Sequence, residues 1–377
     1  MIYLDNAATT KVDDSAIEKM IDVMKNNFGN PSALYDFGHK AEKILNNARK
    51  FLADSLGVKE KEVYFTSSGT ESNNIAILGN YSGNKNDEYI TSEIEHSSVF
   101  NPYHEISERK VIILKVNSNG FINLDDLENA VNENTKLVSI MHVNNELGTI
   151  QDLEKIGEII KRKNKNTIFH VDGIQGFGKI PIDINKCKID LYTISGHKIH
   201  GPKGIGAIYI RENVKVKPIL FGGGQERNIS PGTENMPGIV ALGEMSKIAY
   251  ENIENNFKKV YNIKKYLMEK LLNIEDTIIN STLENSSPYI LSVSFKDIRA
   301  EVLLHYLEME EIYISTGSAC GKNKKSRVIE AINLPKGYED GTIRISFSKY
   351  TTIEEIDVFY NSLVKYIKEI RSVIRRN

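Results

Sequence analysis

The sequence predicts an α/β fold in which a large domain with a mainly parallel sheet precedes a smaller C-terminal α+β domain. Three observations predict it. The chain has 377 residues, more than one small core can organise. Short runs rich in Val and Ile alternate with helical patterns, and they lack the polar alternation of a strand with one wet face. From about residue 240 the texture changes, and a long Lys- and Asn-rich helical stretch leads into strands and helices in α+β order.

Asp13 and Asp14 can cap a first helix whose Ile17, Met20, Ile21 and Met24 have the spacing of one apolar face. The strands of the large domain follow as VYF (63–65), YI (89–90), VIIL (111–114), LVSIMHV (137–143), TIFHV (167–171), LYTIS (191–195) and GAIYI (206–210). Between the fourth and fifth lies DLEKIGEIIKRKN, with Leu153, Ile156, Ile159 and Ile160 forming a stripe and cations at its end. In the C-terminal part, YILSVSF (289–295), EIYIS (311–315) and TIRISFS (342–348) read as strands, and AEVLLHYLEM (300–309) as a helix. The last helix opens on Thr352 and Glu355 in a capping-box arrangement and carries Ile356, Leu363, Ile367 and Ile370 on one side.

Composition removes several function classes. A net charge of -2 gives no basic field for a nucleic acid or an anionic membrane. No apolar run approaches the roughly 20 residues that span a bilayer, and no N-terminal stretch resembles a signal peptide, so a cytoplasmic protein is expected. Cys187 and Cys320 are the two cysteines and form no CxxC pair, which leaves neither a disulfide framework nor a structural zinc site. The histidines show no HExxH or comparable spacing, and no metal is expected.

Chemistry concentrates where the strands end. Asp172 directly follows a buried strand in VDGIQGFGK, with Gln175 three residues on, and a carboxylate there is costly to bury without a cationic partner. Ser195, His197 and Lys198 follow another buried strand in SGHKIHGPKGIG. Desolvation in such a setting disfavours the ammonium form and makes Lys198 an amine able to condense with a carbonyl. An aldehyde cofactor that also bears a pyridinium nitrogen needs both groups, and pyridoxal 5'-phosphate fits. FTSSGTESNN (65–74) supplies a strand, a turn containing Gly69 and Thr70, and a helix start for its phosphate. Read alone, Asp172 can instead cap a turn, His96 can be a hydrogen-bonded loop residue, and Cys320 can be a small core residue.

YLDNAATT (3–10), NPSALYDFGHKA (30–41), FTSSGTESNN, IEHSSV (94–99), HVNNELGTIQ (142–151), HVDGIQGFGKIPID (170–183), SGHKIHGPKGIGA, GGGQER, PGTEN and STGSAC together resemble the pyridoxal-phosphate-dependent cysteine desulfurases of the NifS/IscS type, in order and approximate spacing over essentially the whole chain. The resemblance implies a fold-type I homodimer of the class-V aminotransferase group that takes sulfur from L-cysteine and releases L-alanine. It implies a large cofactor-binding domain over 12–250 and a small domain of 1–11 and 251–377 carrying the Cys320 loop. Position by position, it makes Lys198 the amine that holds the cofactor and sets Asp172 on the ring nitrogen. It stacks His96 on the ring as a catalytic group and puts Gln175 on the ring hydroxyl. Gly69, Thr70, Ser195 and His197 go to the phosphate, and Thr233 to the phosphate of the neighbouring subunit. Asn145 and Arg344 receive the substrate carboxylate, and Cys320 carries the persulfide to a sulfur-acceptor protein serving iron-sulfur cluster assembly or thiolation.

Cys320 sits between an apolar run and GKNKKSR, where a packing cysteine is not expected. A thiolate there can attack the substrate's sulfur and present it elsewhere, and Lys322, Lys324, Lys325 and Arg327 are expected to favour the thiolate or dock an acidic acceptor. Cys187 is read as structural. The chain departs from the family pattern at Tyr35, at Ser67 and Ser68 of the phosphate turn, at Ser230 and Pro231, and at Ser348. A selenocysteine lyase or cysteine β-lyase on the same scaffold, and a non-enzymatic scaffold for acceptor proteins, are the competing readings.

Overall fold

The computed structural model describes residues 1–106, 108, 110–316 and 326–374. Strand β1 (Ile2–Tyr3) leads to helices α1 (Asp14–Asn26) and α2 (Asp36–Leu56). Then β2 (Val63–Thr66), α3 (Gly69–Leu78), β3 (Glu88–Ser92), α4 (Ser97–Glu105), β4 (Lys110–Leu114), α5 (Leu124–Ala130), β5 (Thr135–Ser139), α6 (Leu153–Lys163) and β6 (Ile168–Asp172) alternate as expected. β7 (Leu191–Ser195) and β8 (Gly206–Ile210) complete a seven-stranded sheet in the order β2-β8-β7-β6-β5-β3-β4. β8 runs antiparallel to β7 and β2, and the other pairs are parallel.

The unbroken apolar runs have a plain cause. Successive residues of a strand point to opposite faces, and here both faces are covered. Phe169, Val171, Tyr192 and Ile194 pack into a cluster with Leu52, Ile156 and Leu242, whereas Ile168 and Leu191 join Ile75, Tyr103 and Ile208. Helix α6 buries Leu153, Ile156 and Ile160, and Asp152 caps it by accepting from the Lys155 N–H.

The C-terminal part comprises α7 (Met236–Glu251), α8 (Ile253–Leu271), β9 (Thr277–Ile279), β10 (Ile290–Phe295), α9 (Ala300–Glu308), β11 (Ile312–Tyr313), α10 (Arg327–Ala331), β12 (Thr342–Ser346) and α11 (Ile353–Ile374). The expected single Lys- and Asn-rich helix is two helices, meeting at Asn252. α7 packs on α1 and α2, while α8 places Val260, Ile263, Leu267 and Leu271 in a separate core with Val293, Leu303, Ile345 and Phe359. The sheet here is antiparallel, in the order β12-β10-β9. The chain start joins this core: Leu4 is fully buried in it, and Ile2 and Tyr3 pair in parallel with Ile312 and Tyr313 as a separate two-stranded sheet. The capping box before α11 forms in both directions, Thr352 N–H to Glu355 and Glu355 N–H to Thr352 Oγ1.

Helix α1 differs from the expectation of one buried apolar face. It buries Ala16 and Val23, while Ile17, Ile21 and Met24 remain exposed. Its buried residues are small, and α1 packs against α7.

Candidate active site

The carboxyl ends of β6 and β7 and the N-termini of α3 and α4 converge, and most of the residues singled out in the sequence lie there. Asp172, the last residue of β6, is buried, and its Oδ2 accepts from Asn73 Nδ2 at 2.9 Å while Oδ1 accepts from the Ile174 N–H at 3.0 Å. Burial raises its pKa above the usual carboxylate range, and those hydrogen bonds, with the charges of His96 and Lys198, oppose the rise. Asn73 was part of a motif in the sequence but had no assigned role. The structure makes it a hub: the same amide nitrogen donates to Ser98 Oγ at 2.9 Å, and its oxygen accepts from Thr193 Oγ1 at 2.7 Å.

Ser98 carries the chain of bonds to His96. His96 caps α4 by accepting the Ser98 N–H on Nδ1 at 3.1 Å, with Ser98 Oγ 2.8 Å from the same atom. Burial lowers the His96 pKa, Lys198 and Arg327 add to the effect, and Asp172 opposes it. A neutral imidazole with Nδ1 accepting carries its proton on Nε2.

Lys198 follows β7 in a short 3₁₀ turn, and its Nζ donates to the carbonyls of Ala7 at 2.8 Å and Ala8 at 2.7 Å. Gln175 Nε2 donates to the same Ala7 carbonyl at 2.8 Å. The N-terminal NAATT stretch is therefore a wall of the site, and it also holds His197, whose Nδ1 lies 3.2 Å from Thr9 Oγ1. Burial, reinforced by neighbouring lysines, pushes His197 down to about 4 and keeps it neutral. Ser195 is buried at the end of β7. Gly69 opens α3 beside it, and a Cβ at Gly69 would come within 2.3 Å of Ile174 Cδ1, so a larger residue requires the Ile174 side chain to move. Ser68 accepts the Glu71 N–H as the cap of α3, while the N–H groups of Gly69 and Thr70 have no partner inside the helix.

Arg344 on β12 is buried and donates from Nη2 to Asp5 at 2.8 Å and from Nη1 to the Asn145 carbonyl at 2.9 Å. Its Nε is buried with no hydrogen-bond partner among the described residues. Asp5, which sequence reasoning did not assign, is thus the counterion that fixes this guanidinium. The signal available was an acid inside a quoted motif, together with an Arg in a strand buried on both faces.

Thr233 is exposed in the loop before α7, and no described hydrogen bond ties it to this group. Cys320, Lys322, Lys324 and Lys325 lie outside the described residues. Both flanks of their segment are attached at the site. On one side, Ser315 and Arg344 exchange backbone hydrogen bonds of 3.1 and 2.7 Å. On the other, Ser326 Oγ donates to Glu146 at 2.6 Å, and Arg327 stacks on the Phe100 ring at 3.6 Å while donating to the Glu95 carbonyl at 3.0 Å. Arg327 is therefore turned inward on α4; of the two roles expected of these cations, favouring the thiolate or docking an acidic acceptor, this position leaves Arg327 the first and not the second. Cys320 is five residues beyond Ser315, a contour of at most about 18 Å. Cys187 is buried, and burial raises its thiol to about 11, which suits a packing role and not a nucleophile. Ser230, at a departure from the family pattern, donates to Glu71 at 2.7 Å and so ties its loop to the first turn of α3.

These residues fit pyridoxal phosphate. A carboxylate whose ionised form burial disfavours gains from a cationic ring nitrogen, the amine stands at the neighbouring strand end, and α3 offers a glycine-lined N-terminus to a phosphate.

The comparisons agree with this geometry. The family model described as Aminotransferase class-V matches residues 2–359. The cysteine desulfurase IscS of Methanosarcina thermophila is 41% identical over 378 aligned residues, covering 99% of this chain and 93% of that protein. Among solved structures, a NifS-like protein superposes with a TM-score of 0.91 at 39% identity, covering 97% of this chain and 99% of that one. SspA in complex with cysteine superposes at 0.81 with 34% identity, covering 93% and 100%. Family match, relatives and site chemistry lead to one assignment: the chain belongs to the pyridoxal-phosphate-dependent class-V aminotransferases, among the cysteine desulfurases of the NifS/IscS type.

Proposed function

We propose that this enzyme takes sulfur from free L-cysteine onto Cys320, releases L-alanine and passes the sulfur to an acceptor protein, as a homodimer. The observation that carries the reading is the continuous hydrogen-bonded path from Asp172 through Asn73 and Ser98 to His96, beside Lys198. The relatives named cysteine desulfurase and the neighbour captured with cysteine support the substrate. The separate core that contains Leu4 and α8 supports a division into a large unit of 12–250 and a small one of 1–11 and 251–377.

Lys198, Asp172, Gln175, His96, Ser195, His197, Gly69 and Thr70 would hold the cofactor, with Thr233 contributed to a second copy. When bound, pyridoxal phosphate supplies an aldehyde for an amine and an electron-poor ring that accepts the electron pair of a Cα–H bond. Asp172 would hold the ring nitrogen in its protonated form, with Asn73 orienting Asp172. Lys198, held by the Ala7 and Ala8 carbonyls, takes and returns the proton at Cα. Arg344, pre-set by Asp5, has its free Nε–H for the substrate carboxylate, and Asn145 closes the same side. His96, neutral with Nδ1 occupied, exchanges protons with the substrate through Nε2. In the net reaction the Cβ–S bond of cysteine breaks and an S–S bond forms on Cys320, so that cysteine and enzyme thiol give alanine and enzyme persulfide.

The test is a product assay with purified enzyme and cysteine. Alanine should form, with one equivalent of persulfide or released sulfide for each, and Cys320→Ser should abolish it. Pyruvate in place of alanine, undiminished in Cys320→Ser, would show a β-lyase instead, and a strong preference for selenocysteine would show a selenocysteine lyase.

A further inference from the structure

Lys179 follows the Asp172–Gln175 turn and is almost wholly buried, yet its Nζ has no carboxylate among its described contacts. It donates to Gln175 Oε1 at 3.3 Å and lies 5.7 Å from the centre of the Tyr289 ring. Burial, together with the charges of Lys198 in the turn after β7 and Arg344 in the middle of β12, pushes its pKa down to about 7. A lysine kept in such a place against the cost of desolvation calls for a role.

The Gln175 amide supplies one. Its oxygen accepts from Lys179 and its nitrogen donates to the Ala7 carbonyl, which also accepts from Lys198. While Lys179 is an ammonium, which has no acceptor, turning the amide over would set its oxygen against the Ala7 carbonyl and its NH2 against the Lys179 donor, so both contacts then enforce one orientation. The amide nitrogen has two N–H groups, and Ala7 uses one.

We propose that Lys179 is a positioning residue that locks the Gln175 amide in the donor-inward orientation, so that its second N–H is presented to the ring oxygen of the cofactor. The inference rests on the cofactor reading above. Without Lys179 one of the two contacts that enforce this orientation is lost, and the turned-over amide, which presents an acceptor to an anionic ring oxygen, gains population.

The experiment is a titration of the visible absorption of the holoenzyme between pH 6 and 9, alongside the dissociation constant of pyridoxal phosphate. Lys179→Met or Lys179→Leu should raise the pH midpoint of the visible band by about half a unit or more. Lys179→Arg, which keeps the donors, should titrate near wild type. Gln175→Leu should give the same rise, and the Lys179→Met, Gln175→Leu pair should show no more than either alone, because both remove one contact. Full additivity in the pair, or a wild-type midpoint in both apolar variants, overturns the inference. A wild-type protein that stays colourless with the cofactor overturns instead the reading on which it stands.

Discussion

Asn73 shows what a single residue decides in this protein. It bonds Asp172, Ser98 and Thr193 at once, joining β6, α4 and β7 through one amide. Asn73→Leu leaves the buried Asp172 with the Ile174 N–H alone and breaks the path to His96. A lost hydrogen bond to a buried carboxylate is worth about 1.5–3 kcal/mol, so alanine formation should fall roughly 10- to 100-fold in kcat/KM. Steady-state kinetics of the purified variant check it. Lys264 is the opposite case, a buried cation remote from chemistry. Fully buried on α8, it donates to Ser286 Oγ at 2.8 Å and the Ser287 carbonyl at 2.9 Å. Burial lowers its pKa to about 7, whereas the unfolded chain binds that proton up to about 10.4. Between those values the unfolded state holds more protons, so stability rises with pH by up to about 1.4 kcal/mol per unit and is lost again as pH falls through 7. Lys264→Met lacks this rise. Urea unfolding at pH 7 and pH 9.5 should show the variant's stability relative to wild type declining as pH increases. Neither role was legible in sequence. Asn73 and Asp172 are 99 positions apart, and Lys264 looks like any other lysine of a Lys-rich helix until the packing buries it.

At the scale of elements, the strands were the most legible part. Runs such as TIFHV, LYTIS and GAIYI became β6, β7 and β8 because burial on both faces requires apolar residues at every position. The run LVSIMHV extends past β5, which ends at Ser139, but the Ile140 and His142 N–H groups still bond the His170 and Asp172 carbonyls, and the chain turns only at 145–147. Strand β1 gave no periodic signal at two residues, and its partner β11 is about 310 residues away in the chain. Helix α10 was equally silent, yet its first residues carry the return from the segment bearing Cys320. Arg327 spans Phe100 and the Glu95 carbonyl, next to His96. Glu95 itself is fully buried, accepts from Ser92 and the Met141 N–H, and is raised to about 8 by burial, so it holds its proton at neutral pH. Arg327→Ala removes the stacking and the hydrogen bond while leaving Ser326 on Glu146. The expected result is a fall of about tenfold or more in the rate of persulfide formation, from a misplaced nucleophile, with the cofactor spectrum unchanged. Rapid-quench labelling of the Cys320 persulfide measures it, and an unaltered rate would count against the anchor.

The whole molecule leaves apolar surface that a lone chain does not explain. Phe28, Leu34, Tyr35 and Phe221 are 71, 91, 62 and 90% exposed, and Ile17, Ile21 and Met24 add a stripe on α1. The two loops concerned are neighbours, because Pro31 and Ser32 line one cleft with Arg49, Glu226 and Arg227. That cleft is stiffly built. Glu226, Arg227 and Asn228 all adopt positive φ, a conformation unfavourable for residues other than glycine. The run is held by the two-pronged Arg49–Glu226 pair at 2.7 Å and by Arg227 stacked on the Tyr64 ring at 4.0 Å. Thr233 is exposed in the loop that follows, as its proposed contribution to the phosphate site of a second copy requires. This exposed apolar face is the one that the proposed homodimer would cover, with each copy's Thr233 offered to the other. Assembly and cofactor retention should then fail together. Leu34→Glu combined with Phe221→Glu, both outside the chemistry, should convert a species of twice the chain mass into one of single mass in sedimentation velocity. The same variant should bind pyridoxal phosphate at least about tenfold more weakly, because the partner's contribution to the phosphate is gone. Thr233→Ala should weaken cofactor binding without changing the sedimenting mass. A wild-type protein that sediments as a single chain and still holds its cofactor would remove the second copy from the site.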